Sequence, residues 1–182
     1  MDDLTLGEPA LARIETGRLV LRPLRESDAG LIALYTSDAR VAKGTRTIPH
    51  PLPPGAAEAA VSRAMAGDGG VDVWAIDGTA HDLAELLGLV SLKRMDGGQS
   101  ELEFWIGPGF WNTGFATEAV EALIRANPHG ARTLFAEAFQ DNPGSARVLT
   151  NCGFDYLGDA EAWSVARDAR VPTWTYVRRM DG

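Results

Sequence analysis

Two groups of residues in this chain are placed to do chemistry: a pair of alternating carboxylates and, directly after them, a glycine-bearing loop that opens a helix. Glu101 and Glu103 alternate with Leu102 and Phe104 in the run Glu101 to Ile106. On a strand that spacing puts both carboxylates on one face, opposite the apolar one. A pair so placed can take a proton from a reacting group; it can equally mark the solvated face of a half-covered sheet. The run leads through Gly107-Pro108-Gly109-Phe110 into Trp111-Asn112-Thr113-Gly114-Phe115-Ala116-Thr117. Gly114 lets the backbone pass close to a ligand, and the amides of Asn112 to Thr117, which open a helix, have no partners within it. They point outward where the helix dipole favours negative charge, so an anion such as phosphate is the natural guest.

A second block, Asn142-Pro143-Gly144-Ser145, reads either as a helix start capped by Asn142 or as polar groups aimed at a ligand. Arg147 follows on the same helix, within reach of a phosphate or simply solvated. His50, His81 and His129 are widely separated, with neither metal-binding spacing nor a recognisable triad. The single cysteine, Cys152, has no partner for an internal disulfide and no neighbouring His to activate it, so it reads as a small core residue. Gly107-Pro108-Gly109-Phe110-Trp111-Asn112 nearly spells a dinucleotide fingerprint but lacks its third glycine.

Strands that could position these groups are expected over Arg18 to Leu24, Val71 to Ile76, Leu86 to Met95, Ser100 to Ile106, Thr133 to Phe139, Asp155 to Asp159 or beyond, and Thr173 to Arg179. Helices are expected from a Ser27 cap to about Tyr35, from Pro53-Pro54 to about Ala66, over Phe115 to Ala126, and over Pro143 to Asn151. Asp77-Gly78 and Asp96-Gly97-Gly98 are turn signals, so the three strands they join should form an antiparallel meander ahead of the loop. Thr45 to Pro54, rich in proline, is either a pocket-shaping loop or a stiff connector.

The loop Trp111-Asn112-Thr113-Gly114-Phe115-Ala116 resembles the acetyl-coenzyme A loop of the GNAT superfamily of N-acetyltransferases, Gln/Arg-x-x-Gly-x-Gly/Ala, with Trp at the first position. Trp111 followed by Gly-Phe-Ala-Thr-Glu-Ala is similar to the branch of the ribosomal-protein N-terminal (RimJ/RimL-type) acetyltransferases. Asn112 and Thr113 replace a usual Gly and basic residue, which removes a side-chain salt bridge to phosphate. Asn142 to Phe154 resembles the second motif, Asn-x-x-Ser-x-x-x-Leu-x-x-x-Gly-Phe, and Glu15 to Leu24 with Ser27-Asp28 resembles the opening strand and helix, so the likeness runs from Ile14 to Arg179.

The resemblance implies a mixed α/β GNAT fold: a mostly antiparallel twisted sheet of about seven strands, a splayed strand pair binding acetyl-coenzyme A, and about four helices. It implies acetyl transfer from acetyl-coenzyme A to a primary amine, a protein N-terminus or small basic amine, without metal. Glu101 aligns best with the family's general base, while Glu103 stands where Gly is common; both remain candidates. The resemblance makes the Ile106 N–H the donor to the acetyl oxygen, with Trp105 beside it at the pantetheine. It makes Ser145 the acid for the leaving thiolate and gives the pantetheine arm to Asn142. Trp111, Asn112, Thr113, Gly114, Phe115, Ala116, Thr117 and Arg147 fall to the phosphates. Leu149 replaces the Tyr that many members use as acid, which leaves open a sensor or partner-binding module that binds acetyl-coenzyme A without transfer.

At 182 residues, 45% hydrophobic and 23% charged, the chain fits one globular domain, residues 1–182, with residues 1–13 expected as a flexible extension. A net charge of −8 argues against nucleic acid and favours a cationic acceptor or simple solubility. The absence of a long apolar run or a basic, apolar leader predicts a cytoplasmic protein that does not enter membranes. The C-terminal hairpin, Trp163 to Met180, is a candidate contact for a homodimer.

Overall fold

The computed structural model describes residues 11–181. Eight strands form one sheet: β1 (Ile14–Glu15), β2 (Val20–Pro23), β3 (Val71–Asp77), β4 (Gly88–Met95), β5 (Gln99–Ile106), β6 (Thr133–Phe139), β7 (Asp155–Ser164) and β8 (Ala169–Arg179). The five α-helices among the described residues are α1 (Ala29–Thr36), α2 (Ala39–Gly44), α3 (Ala56–Ala66), α4 (Phe115–Ala126) and α5 (Pro143–Asn151). The sheet order is β1-β2-β3-β4-β5-β6-β8-β7, and every neighbouring pair is antiparallel except β5 with β6.

Three elements differ from the sequence reading. Strand β1 was not expected, because two residues carry no periodicity. Nor was α2, whose six residues begin where the Asp38 carboxylate accepts the Arg40 N–H at 2.9 Å. Ser27 does not cap α1; it lies within a 3₁₀ turn, Glu26–Asp28, and Asp28 stands at the cap position. The expected extension over residues 1–13 falls mostly outside the described residues. Of its last three, Leu11 packs against the core, and the Ala12 carbonyl accepts the Trp74 Nε1–H at 3.1 Å.

Strand alternation divides the apolar residues between two cores. Trp74, Ile76, Val90, Leu92 and Leu102 face α4 and α5, meeting Val120, Leu123 and Leu149. Ala75 faces the other way, towards Ile32 of α1 and Ala57 and Val61 of α3. The buried positions of α4 (Phe115, Ala119, Val120, Ala122, Leu123) form one stripe, so the helix starting at the loop is anchored along its length.

Parallel pairing of β5 with β6 stops after Leu102 opposite Ala136, although β5 continues to Ile106 and β6 to Phe139. The two strands part there, and everything placed for chemistry gathers around the opening.

One buried ion cluster fixes the far side of the sheet. All five N–H donors of Arg22 are used: Nε to Asp77 at 2.8 Å, Nη1 and Nη2 to the two oxygens of Asp28 at 2.9 and 2.8 Å, and the remaining two to the Pro23 and Glu85 carbonyls. Burial alone would raise the Asp77 carboxyl, but donors from Thr79 and Arg22 outweigh it and hold the group below the usual carboxylate range. A carboxylate lowered in the folded state contributes stability above its unfolded value, near 3.9, and loses it as pH falls through the folded value. The Tm deficit of Asp77→Asn against the parent should therefore shrink between about pH 6 and about pH 3. A deficit that stays constant in thermal melts across that range would contradict this assignment.

Candidate functional site

A cavity of about 540 Å³ opens where the strands part, and all of Trp111 to Thr117 line it, together with Trp105, Ile106, Asn142, Ser145 and Arg147. The loop is shaped by Gly114, whose φ of +81° caps α4, and by Asn112 at φ +60°. The Trp111 Nε1–H donates to the Ile106 carbonyl at 2.7 Å, fixing the indole across the loop mouth. The Thr113 hydroxyl donates to the Phe110 carbonyl, so this side chain braces the loop. The Phe115 ring is buried, with the Arg18 guanidinium over it at 4.4 Å; Arg18 also donates to the Thr113 carbonyl and pairs with Glu118 at 2.8 Å. What the loop presents to the cavity is therefore largely backbone.

Two guanidiniums line the same cavity, Arg147 and Arg40. Arg40 lies over the Trp111 ring at 5.2 Å and pairs with Asp38 at 2.8 Å. Sequence reasoning missed it, because α2 gave no periodic signal; only the fold sets this helix beside the loop.

Backbone polarity at the opening follows from ladder alternation. The Gly107 N–H donates to the Leu87 carbonyl at 2.8 Å, so Trp105, two residues earlier, also turns its N–H towards β4. Phe104 and Ile106 turn theirs the other way, into the gap left by β6. The Ile106 amide, implied as donor to the acetyl oxygen, faces the gap, and that of Trp105 does not; Trp105 lines the cavity by other atoms.

Gly88, opposite Ile106 on β4, permits this approach: a Cβ there would lie 2.1 Å from the Trp105 carbonyl oxygen and 2.9 Å from the Ile106 Cα. Backbone cannot move aside as a side chain can, so Gly88→Ala should cost about 1–3 kcal/mol of overpacking, readable by denaturant unfolding. An unchanged midpoint would contradict the close approach.

A second cavity, of about 430 Å³, lies behind the first, and the two share Gly44, Thr45, Phe104, Trp105 and Ser145 as walls. Next in the chain to the shared Thr45 and Phe104 stand Arg46 and Glu103, members of an acidic cluster spanned by one cation. The Arg46 guanidinium pairs with Glu101 and Glu103 of β5 and reaches Glu137 of β6 at 3.3 Å, bridging the strands just past their last pairing. The Arg46 carbonyl accepts the Val165 N–H at 3.0 Å, so the tip of the β7–β8 hairpin holds this loop in place. Glu137, which also accepts from the Thr173 hydroxyl at 2.7 Å, was not anticipated; on its own strand it looks like any polar residue among apolar ones. Glu103 and Glu137 line the second cavity and Glu101 does not.

Asn142 does not cap α5 with its side chain; its Nδ2–H donates to the Ser145 hydroxyl oxygen at 3.1 Å. Leu149 is sealed in the core, so no hydroxyl replaces it there. Burial pushes the Cys152 thiol up to about 12, which leaves it un-ionised and without nucleophilic character. Residues without triad spacing in the sequence meet in the fold: Ser100 lies 2.8 Å from His129 Nδ1, and His129 Nε2 lies 2.6 Å from Asp72. Ser100 is only 1% exposed, however, and none of the three lines either cavity, so this chain of contacts ties the α4–β6 turn to the sheet.

A sequence model of the family described as an acetyltransferase (GNAT) domain matches residues 18–155. No curated protein matches the chain. Solved structures share its fold. A ribosomal L7/L12 α-N-protein acetyltransferase in complex with coenzyme A has a TM-score of 0.78 at 17% identity, over 93% of this chain and 99% of that one. The ribosomal-protein-S5-alanine acetyltransferase of Vibrio fischeri has a TM-score of 0.75 at 18% identity, covering 93% and 97%. The spermidine N-acetyltransferase of Vibrio cholerae, in complex with coenzyme A and spermine, has a TM-score of 0.74 at 15% identity, covering 91% and 97%.

Proposed function

Because the chain belongs to the acetyltransferase (GNAT) domain family, we propose that it moves an acetyl group from acetyl-coenzyme A to a primary amine by direct attack within a ternary complex. The observation that carries this reading is the pair of cavities meeting at Phe104, Trp105 and Ser145. One suits an anionic, elongated donor and the other an acceptor, with their reactive ends at the shared wall.

The residues of the first cavity fit coenzyme A by the chemistry of their donors. The amides of Asn112 to Thr117 and the guanidiniums of Arg40 and Arg147 offer positive potential to phosphates, and Asn142 offers an amide to the pantetheine arm. Bound there, acetyl-coenzyme A supplies an activated acyl carbon and a thiolate leaving group.

An amine in the second cavity arrives mostly as an ammonium, since its ordinary pKa is roughly 8 to 10. Glu103, on the cavity wall, takes one proton directly or through water; Glu101, outside that wall, serves to hold Arg46. The amine nitrogen then forms its bond to the acetyl carbon as the carbon–sulfur bond breaks. The Ile106 N–H faces the oxygen on which negative charge gathers. Ser145 donates its proton to the departing sulfur and is restored by the second proton that the amide nitrogen sheds, while Glu103 passes its proton to water. The balance is ammonium plus acetyl thioester giving amide, free thiol and one proton.

Calorimetry with acetyl-coenzyme A, followed by addition of amines while free thiol is measured, tests the reading. Binding with amine-dependent thiol release is expected. No binding would overturn the assignment of the first cavity; binding without release by any amine would instead favour the sensor, the reading that Leu149 keeps alive.

A further inference from the structure

The second cavity shows which amine is acceptable. Its walls come from Ile32 of α1, Ala56 and Ala60 of α3, Leu52 of the proline-rich loop, and Val73 and Leu89 of the sheet, which offer hydrocarbon only. The lining also holds the hydroxyls of Thr36, Thr45, Thr47, Ser91 and Ser145, neutral oxygens that can accept from an ammonium but do not neutralise its charge. Two carboxylates line the cavity, Glu103 and Glu137; with Glu101 they share the single Arg46 guanidinium, a formal net charge of −2. The other cation of the lining, Arg63, is exposed near the end of α3.

Resting on the acetyl-transfer reading, we propose that the acceptor is a primary amine carried on an apolar body, its ammonium drawn to Glu103 and Glu137 and its hydrocarbon filling the chamber. The charge distribution sets the orientation. In the lining only these carboxylates compensate a cation, and Glu103 directly precedes Phe104 of the shared wall. A second ammonium further along the molecule would meet no carboxylate beyond Glu103 and Glu137, which is unfavourable, so a linear polyamine is disfavoured by the same walls that accept an alkyl or aryl group. A free arylalkylamine and a peptide beginning with a large apolar residue present the same chemistry at this depth.

The test is a homologous series of n-alkylamines, from ethylamine to hexylamine, with spermidine, phenylethylamine and a Phe-initiated peptide alongside. Each methylene buried in the chamber should raise kcat/KM roughly fourfold, so the series should span on the order of a hundredfold. Spermidine should fall well below hexylamine. Phenylethylamine above the peptide identifies a small-molecule source, and the reverse order an N-terminus. Ala60→Phe, which fills the chamber from α3, should flatten the series while leaving Tm and the Kd for acetyl-coenzyme A near those of the parent. A flat or falling series, or a preference for spermidine, would overturn the inference and leave acetyl transfer standing. If acetyl-coenzyme A binds but no amine is acetylated, Kd values of the same amines for the coenzyme A complex should follow the same order, and no amine binding would overturn it. Failure of acetyl-coenzyme A to bind would instead strike the underlying reading.

Discussion

Arg22→Met is expected to destabilise the protein by about 3–5 kcal/mol, the usual result of removing one partner from a buried ion cluster. Arg22 is 3% exposed, Asp28 0% and Asp77 7%, so the substitution strands two carboxylates that water cannot reach. It also orphans the Pro23 and Glu85 carbonyls that the guanidinium served. For a chain of this size the expected fall in Tm is roughly 6–20 °C. The deficit should narrow in acid, because a stranded carboxylate that takes up a proton no longer carries an uncompensated charge. Adding Asp28→Asn and Asp77→Asn to Arg22→Met should recover part of the loss even though three charged groups are gone. A single variant as stable as the parent, or a triple variant worse than the single, would contradict the account. The cluster matters to the site because it ties β2 and the end of β3 to Glu85, just ahead of the strand that carries Gly88.

Ser145→Ala is expected to lower kcat by about a hundredfold to ten-thousandfold, the range attributed to a positioned general acid, with little change in the Kd for acetyl-coenzyme A. Asn142 orients the Ser145 hydroxyl. Its amide donates to the Ser145 oxygen at 3.1 Å, which occupies an acceptor position of the hydroxyl and leaves its own hydrogen to be given elsewhere. Ser145 also lines both cavities, so a leaving group at their junction lies within its reach. The loss should shrink for an acetyl thioester whose thiol is more acidic, since such a sulfur departs without help. A structural role would not produce that dependence. A kcat within a factor of about three of the parent, or a deficit indifferent to the leaving group, would remove Ser145 from the mechanism.

Much of the scaffold could be read in the chain. Periodicity placed α4 and α5 at their observed limits and β6 likewise, because these elements are long, strongly patterned and bounded by Gly114, Asn127 or Pro143. The antiparallel meander of β3, β4 and β5 followed from its glycine turns. The short elements β1 and α2 escaped, being too brief for any period to register.

By itself, then, the sequence determined the mixed α/β class and the glycine loop that opens α4, because both depend on local order: which residues alternate, which glycine opens a helix, which amides that helix leaves unpaired. Only the tertiary structure decided what meets across the parted strands. Arg46 and Glu137 stand 91 positions apart, yet with Glu101 and Glu103 they form one cluster. Arg40 reaches the loop from a helix without a sequence signal, and a Ser–His–Asp line assembled from three distant segments lines neither cavity. Such groupings depend on where β5 and β6 stop pairing and on which loops fill the gap. Those are properties of long-range packing, which spacing along a single chain does not encode.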